Sequence, residues 1–448
     1  MKMNYKRTLL VGLAFMTISA FWQLYDNVVP LILKKTFGIG DTWTGAVMAM
    51  DNVLAVLLMP LFGRISDRCH TRQGKRIPFI VGGTAAAVIL MNLLPVMDKK
   101  LLLTPFIIVL SMLLIAMSTY RSPAVALMPD VTIKPLRSKA NAIINLMGAL
   151  GGVFVLATTG LLVRKGANGV STMVSETGEA ILRDDYTFLY LAVSLLMVIG
   201  VTVLVLTIRE NKLAKEAAEE QAKLDALAAP EEAQPKAVSA DGKLDNATMR
   251  SLVLILLSVS FWFMGYNAVT SAFTRYMEFY WGYELASSSL LMMVATVAAV
   301  ISYLPVGIIS SKIGRKRMIQ MGVILLAASF GVAGLFKSFH PAAYVIFCLV
   351  GVAWAMINVN SYPMVVEISK SGDVGKYTGY YYPFSMAAQV LTPILSGYLL
   401  EHVGYYTLMP YACVMVLISF VTISLTRHGD NKPEPPKSTL EAFDVGDD

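Results

Sequence analysis

The chain has 448 residues, of which 56% are hydrophobic and only 15% charged. Water-soluble domains carry about 25% charged residues, so this composition excludes a soluble globular protein and predicts one that crosses a bilayer repeatedly. The net charge of +7 sits in short clusters between apolar runs, which is the pattern that orients membrane spans and not a nucleic-acid-binding stripe.

Twelve runs approach the roughly 20 apolar residues needed to span a bilayer: 8–33, 43–63, 77–97, 102–122, 140–163, 187–208, 249–272, 286–309, 318–336, 341–364, 378–400 and 405–425. The first resembles a signal peptide but is too long and lacks a small-x-small cleavage site, so it is taken as a span. It contains Phe21-Trp22-Gln23-Leu24-Tyr25-Asp26-Asn27. At helical spacing Trp22, Tyr25 and Asp26 share one face. A carboxylate at membrane depth costs about 2.5–3.5 kcal/mol on insertion scales, a cost usually tolerated where a wet cavity receives it. Asp51, Asn52 and Arg121 add further polar groups to the second and fourth runs.

Of the 37 lysines and arginines, 27 fall on the side of the termini, 9 on the other side (Lys34, Lys35, Arg275 and Lys337 among them), and Arg121 inside a span. That asymmetry predicts a multi-pass protein with both termini in the cytoplasm, placed in the cell membrane. The segment 209–248 changes composition to Lys, Glu, Ala and Gln without aromatic residues. It predicts a polar helix over 210–228 with i,i+4 charge pairs, interrupted by Pro230 and Pro235. The loop 164–186 is the longest on the opposite side, with turns expected at Asn168-Gly169 and Thr177-Gly178. The organisation expected is a six-helix bundle over 1–208, a linker over 209–248, a second bundle over 249–427 and a disordered cytoplasmic tail over 428–448. Three cysteines, Cys69, Cys348 and Cys413, have neither disulfide nor metal-ligand spacing.

The two halves repeat. Phe261-Trp262-Phe263-Met264-Gly265-Tyr266-Asn267 echoes the opening stretch, and Pro123 matches Pro363. Gly63-Arg64-Ile65-Ser66-Asp67-Arg68 with Gly74-Lys75-Arg76 recurs as Gly307-Ile308-Ile309-Ser310-Ser311-Lys312 with Gly314-Arg315-Lys316-Arg317. Parallel six-span repeats predict an all-α fold of twelve transmembrane helices in two pseudo-symmetric bundles, with a ligand site between them near the midplane.

The stretch 63–76 resembles the loop motif of the major facilitator superfamily, G-x-x-x-D-R-x-x-R-R in its usual form. Its extended version here, Ser66-Asp67-Arg68-Cys69 to Arg76-Ile77-Pro78-Phe79-Ile80, is similar to the sucrose/proton symporter branch, related to glycoside–pentoside–hexuronide:cation symporters. Ala126-Leu127-Met128-Pro129-Asp130, Arg137, Ala140 and Asn141 resemble the same branch. The resemblance implies cation-coupled import of a glycoside, such as sucrose or maltose, by rocker-switch alternating access. It also implies a cytoplasmic latch for the outward-open state made by Gly63, Asp67, Arg68, Gly74, Lys75 and Arg76 with Gly307, Gly314, Arg315, Lys316 and Arg317. Where melibiose-type carriers place two aspartates this chain has Ala55 and Met59; Asp51 lies a turn earlier, and Arg121 is displaced by about a turn. The coupling ion therefore stays open between the favoured proton and sodium.

Asp26, Asp51 and Arg121 are the candidates for ion coupling, because a carboxylate that gains and loses a guanidinium during a cycle changes its proton affinity; static ion pairing is the alternative. Candidate sugar contacts are Trp22, Tyr25, Asp26, Asn27, Asn52, Arg121, Asn141 and Asn145 in the first half. Trp262, Tyr266, Asn267, Trp354, Asn358, Tyr381 and Gln389 are their counterparts in the second. Aromatic faces suit the C–H faces of a sugar, and amides suit its hydroxyls; an interfacial aromatic belt is the alternative for the tyrosines. The second half carries no charge deep in its spans, which predicts ion coupling in one half and neutral recognition in the other. Asp67 with Arg68 is expected to form a charge network at the loop. No nucleophile–base pair, phosphate loop or metal cluster is present in the sequence, so neither enzyme nor cofactor is expected beyond the coupling ion. The expected partners are a small sugar and the lipid bilayer, with no nucleic acid and no obligate protein. Uniport or export of another polar solute, or lipid handling, are the competing functions.

Overall fold

The structure is a computed structural model that describes residues 4–174, 180–227, 246–367 and 374–428. Long apolar runs leave the backbone only one way to satisfy its polar groups away from water, within each helix. The first half comprises α1 (Tyr5–Lys35), α2 (Asp41–Asp67), α3 (Ile77–Lys99), α4 (Leu103–Asp130), α5 (Arg137–Leu162) and α6 (Thr187–Thr207). The polar helix α7 (Glu210–Leu227) follows. The second half comprises α8 (Asn246–Phe279), α9 (Leu285–Ile313), α10 (Arg315–Ala333), α11 (Ala342–Glu367), α12 (Val374–His402) and α13 (Leu408–Ser424). Among the described residues, 11 helices are long and apolar enough to cross a membrane. Together with α12, which falls on the remaining expected run, they give the anticipated all-α, twelve-helix architecture.

Each half buries its own core. Phe21, Leu24, Val28, Leu110 and Met117 lie together in the first; Phe273, Leu326, Phe330, Phe347 and Met409 in the second. The halves meet along a seam where α2 packs on α12 and α5 on α9. Gly45 and Gly397 make the α2–α12 approach possible, because a Cβ on either would strike the backbone of Pro393 or Asp41. Helix α8 begins at Asn246, inside the stretch assigned to the linker, and runs beyond the expected end of its span. Residues 228–245, with Pro230 and Pro235, and the tail 429–448 lie outside the described residues.

The loop 164–186 contains a hairpin, β1 (Val170–Val174) antiparallel to β2 (Ala180–Leu182). The β-branched Val170, Thr172 and Val174 favour that conformation. Gly169, at φ +90, makes the expected turn: its N–H donates to Gly166 O at 3.1 Å. Thr177-Gly178 lies outside the described residues.

Glu210, at the start of α7 and 1% exposed, organises the loop between α2 and α3. Its carboxylate accepts the backbone N–H groups of Lys75, Arg76 and Ile77 at 2.9, 3.0 and 3.0 Å. These are the donors at the N-terminus of α3, which have no partner within the helix. Glu210→Ala leaves them buried without an acceptor, which is expected to cost about 2–4 kcal/mol. Thermal unfolding in detergent checks this, and an unchanged midpoint would show that the cap contributes nothing.

Candidate functional site

The termini define one end of the molecule; at the opposite, far end the two halves are bolted together. Asp41, fully buried at the start of α2, accepts from Arg275 of α8 at 2.8 Å, from the Tyr405 hydroxyl at 2.8 Å and from Lys34 of α1. Lys35 bridges Asp184 of its own half, at 2.9 Å, to Glu278 of the other. The Glu401 carboxylate accepts the Thr42 N–H at 2.8 Å across the seam, and Lys165 pairs with Glu284. Ile181 of the hairpin buries its side chain in the second half's core. These bridges correct the sequence expectation in two respects. Lys34, Lys35 and Arg275 are not loop charges but lie at the ends of α1 and inside α8, at 6%, 2% and 0% exposure. The second half therefore does carry a buried charge, neutralised by a carboxylate from the first.

Between this closed end and the termini lies a cavity of about 1430 Å³, walled by α1, α2, α4 and α5 on one side and α8, α9, α11 and α12 on the other. A smaller chamber of about 300 Å³ opens beside it within the second half. Of the residues singled out from the sequence, Trp22, Asp26, Asp51, Asn52, Arg121, Asn145, Asn267, Trp354, Asn358 and Gln389 line the main cavity. Tyr266 lines the smaller chamber.

Helix periodicity aims Trp22 and Asp26 of α1 into the same space. Asp26 makes no hydrogen bond or ion pair among the described residues and borders both chambers. The Arg121 guanidinium lies over the Trp22 ring, 5.7 Å from its centroid, in cation–π range. The Trp22 indole N–H is buried and unpartnered among the described residues. Asp51 accepts from the backbone and side-chain N–H groups of Asn52 at 2.6 and 2.7 Å. Across the cavity Trp354 stacks on Tyr266 with centroids 3.7 Å apart and meets Trp262 edge-on at 5.3 Å.

Tyr25, Asn27, Asn141, Trp262 and Tyr381 border neither chamber. Tyr25 is 2% exposed and its hydroxyl donates to Val47 O at 3.4 Å. Asn27, Trp262 and Tyr381 are each 1% exposed, inside the bundles; one helical face is broad enough that part of it meets neighbouring helices and not the cavity. Trp22 and Trp262, repeat partners in sequence, thus do different work: one lines the cavity and the other supports Trp354 from the core. Gln23, which lines both chambers, was not singled out although it stands three residues before Asp26, the spacing that shares a face. Thr270, Thr296 and Tyr303 also line the cavity and carried no distinguishing signal.

At the near end the loop motif is centred on Arg76, not Arg68. Arg76 donates to Asp130 at 2.9 Å, to Ser66 and to Asp67; Lys75 joins Asp130 at 3.2 Å. Arg68 instead caps α2 in an exposed position. The cause is geometric: Gly74, at φ +130, turns the chain back so that Arg76 enters from the start of α3. In the second half Gly307 and Gly314 flank the end of α9, Lys316 donates to Ser424 O at 3.2 Å and Thr426 O at 2.7 Å, and Arg315 and Arg317 open α10. Among the described residues no cluster of His, Cys, Asp or Glu has the arrangement of a metal site.

The family model of the Major Facilitator Superfamily matches residues 11–295 and 255–445. The Sucrose transport protein SUC4 of Arabidopsis thaliana is 28% identical over 152 residues, covering 31% of this chain and 30% of that protein's length. The nucleoside transporter NupG superposes with a TM-score of 0.65 at 14% identity, over 94% of this chain and 100% of that one. The inward-open xylose transporter XylE from E. coli gives 0.61 at 14%, covering 98% of each. The peptide transporter POT gives 0.62 at 10%, over 93% and 94%.

Proposed function

The chain belongs to the Major Facilitator Superfamily and is a transport protein, not an enzyme, and on that premise we propose that it imports a glycoside together with a proton. The observation that carries this is Asp26: a carboxylate without a partner at the meeting point of two chambers, facing rings and amides from the other half. Arg121 acts electrostatically on Asp51 and stacks on Trp22, so substrate arriving beside Trp22 disturbs the groups that hold charge. Hydroxyls find acceptors in Asp26 and Asp51 and donors in the indole of Trp22 and the amides of Asn267 and Gln389; C–H faces find Trp22 and Trp354. The similarity to a sucrose transport protein supports a sugar, with a di- or oligosaccharide such as sucrose or maltose as the expected cargo.

The distribution of lysine and arginine supports the termini facing the cytoplasm of the cell membrane, with the far end outside. The bolted far end then makes this the inward-facing state, and transport alternates it with one in which the Asp41 and Lys35 bridges part. The test is alkalinisation of lightly buffered cells on adding each of a range of sugars. A uniporter or exporter of another solute leaves external pH unchanged for all of them, and that result would remove the proposal. Trp354→Leu is expected to raise the half-saturating sugar concentration about three- to tenfold, the range for losing one aromatic contact. Initial-rate uptake measures it, and an unchanged half-saturation would remove Trp354 from the site.

A further inference from the structure

Among the described residues that line the main cavity, three are charged: Asp26, Asp51 and Arg121. Two carboxylates and one guanidinium leave one negative charge in surplus. That surplus belongs to Asp26. Arg121 acts electrostatically on Asp51, and Asn52 donates to Asp51 twice, at 2.6 and 2.7 Å. Asp26 instead feels the like charge of Asp51 and has no hydrogen bond or ion pair among the described residues. The facing wall does not balance it: the second half contributes Asn267, Thr270, Thr296, Asn358 and Gln389, which are polar but uncharged. Tyr266 and Tyr303, the other titratable side chains among the described residues of the two chambers, are phenols and stay neutral near pH 7.

Water solvates the surplus charge while the cavity stands open. Closing both ends around it takes that water away, and a buried ion without a partner is strongly unfavourable. In the proposed cycle a proton on Asp26 removes the charge before the cargo is enclosed. An ammonium group on the cargo achieves the same by pairing. The carboxylate then stays ionised and accepts the ammonium N–H groups, and the enclosed complex has the same total charge as protonated Asp26 with a neutral sugar. We propose that the cavity also carries amino glycosides as cations, the ammonium group taking the place of the proton on Asp26. Asn267 and Gln389, which border both chambers as Asp26 does, serve the remaining hydroxyls; the Asn267 side-chain N–H₂ is buried and unpartnered among the described residues. This rests on the glycoside function proposed above and extends its substrate class: neutral cargo travels with a proton, cationic cargo without one.

The test uses the purified full-length protein with methyl glucosides and galactosides of both anomeric forms. Each is compared with counterparts in which one hydroxyl is replaced by an amine, position by position. Between about pH 5 and about pH 7 the neutral parent, which needs the proton, is expected to bind more weakly as pH rises. The best amino counterpart, which competes with that proton, is expected to bind more tightly. Their affinity ratio in titration calorimetry should rise at least about tenfold, since two pH units change the proton concentration about a hundredfold. In Asp26→Asn the ratio is expected to stay within about twofold across that range, whereas Asp51→Asn keeps the rise. In proteoliposomes at about pH 6, both cargoes should carry inward current, but only the neutral one should acidify the lumen. Amino glycosides that fail to bind where their parents do, that acidify the lumen as their parents do, or whose pH trend survives Asp26→Asn would overturn the inference alone. Failure of every probe, neutral and amino, would overturn the glycoside function with it.

Discussion

Asp26→Asn is expected to abolish accumulation of substrate against its gradient while leaving exchange of substrate across de-energised membranes intact. A gradient of one pH unit is worth about 1.4 kcal/mol per proton and sustains about tenfold accumulation. The amide keeps the shape of the carboxyl group and, with one acceptor and donor hydrogens, stands in for its protonated form, but it cannot take up or release a proton, so the accumulation ratio falls to about one. Asp26 is the group on which this bears most directly, because among the described residues nothing neutralises it. Asp51, by contrast, is held by Asn52 and lies within the field of Arg121. Uptake and counterflow in membrane vesicles separate the two outcomes, and undiminished accumulation by the variant would remove Asp26 from coupling. If Asp51→Asn behaves in that way instead, the proton rides on α2.

The second large effect is expected at the far end. Asp41 is the one carboxylate accepting from Arg275, Lys34 and Tyr405 together, and both it and Arg275 are fully buried. Asp41→Asn leaves two cations around a neutral amide. Breaking one partner of a buried pair costs about 3–5 kcal/mol, and in the proposed cycle only the state closed at this end bears that cost, because the opened state hydrates the groups. The balance is therefore expected to move toward the opened state by about two to four orders of magnitude. Ser289→Cys reports it: Ser289 is fully buried, one turn beyond Ala286, where α9 meets Gly160 of α5. In a background lacking Cys69, Cys348 and Cys413, the rate of labelling by a membrane-impermeant maleimide should rise steeply with Asp41→Asn. Adding Arg275→Gln should restore part of the closure, since one of the two stranded charges is then gone. An unchanged labelling rate would mean that the bridges decorate a seam held by other contacts, such as the α2–α12 approach at Gly45 and Gly397.

Both predictions depend on residues of very different visibility in the sequence. Asp26 stood out because a carboxylate in an apolar run violates the solvent preference of the whole segment, and such a violation is evident from one position alone. The twelve helices were visible for the same reason: length and apolarity are properties of contiguous residues. Arg275 was misplaced because its neutralising partner lies 234 positions away. Taken without Asp41, an arginine at this position marks the end of an apolar span, whereas with it the helix continues to Phe279. Adjacency in sequence sets Asp67 beside Arg68, whereas the turn at Gly74 brings Arg76 to Asp67 in space.

Sequence by itself determined the fold class, the internal repeat and the carboxylate that comes to line the cavity, since hydrophobicity, period and spacing are encoded locally. Tertiary packing alone decided which members of each polar face reach the cavity and which, like Asn27, Trp262 and Tyr381, turn into the bundles. It also decided that the halves are joined by buried charges at one end, and that a ring-walled chamber stands beside the main one. The physical reason is that burial, charge neutralisation and cavity shape arise between segments far apart in the chain. Each needs both partners in place before it has any value.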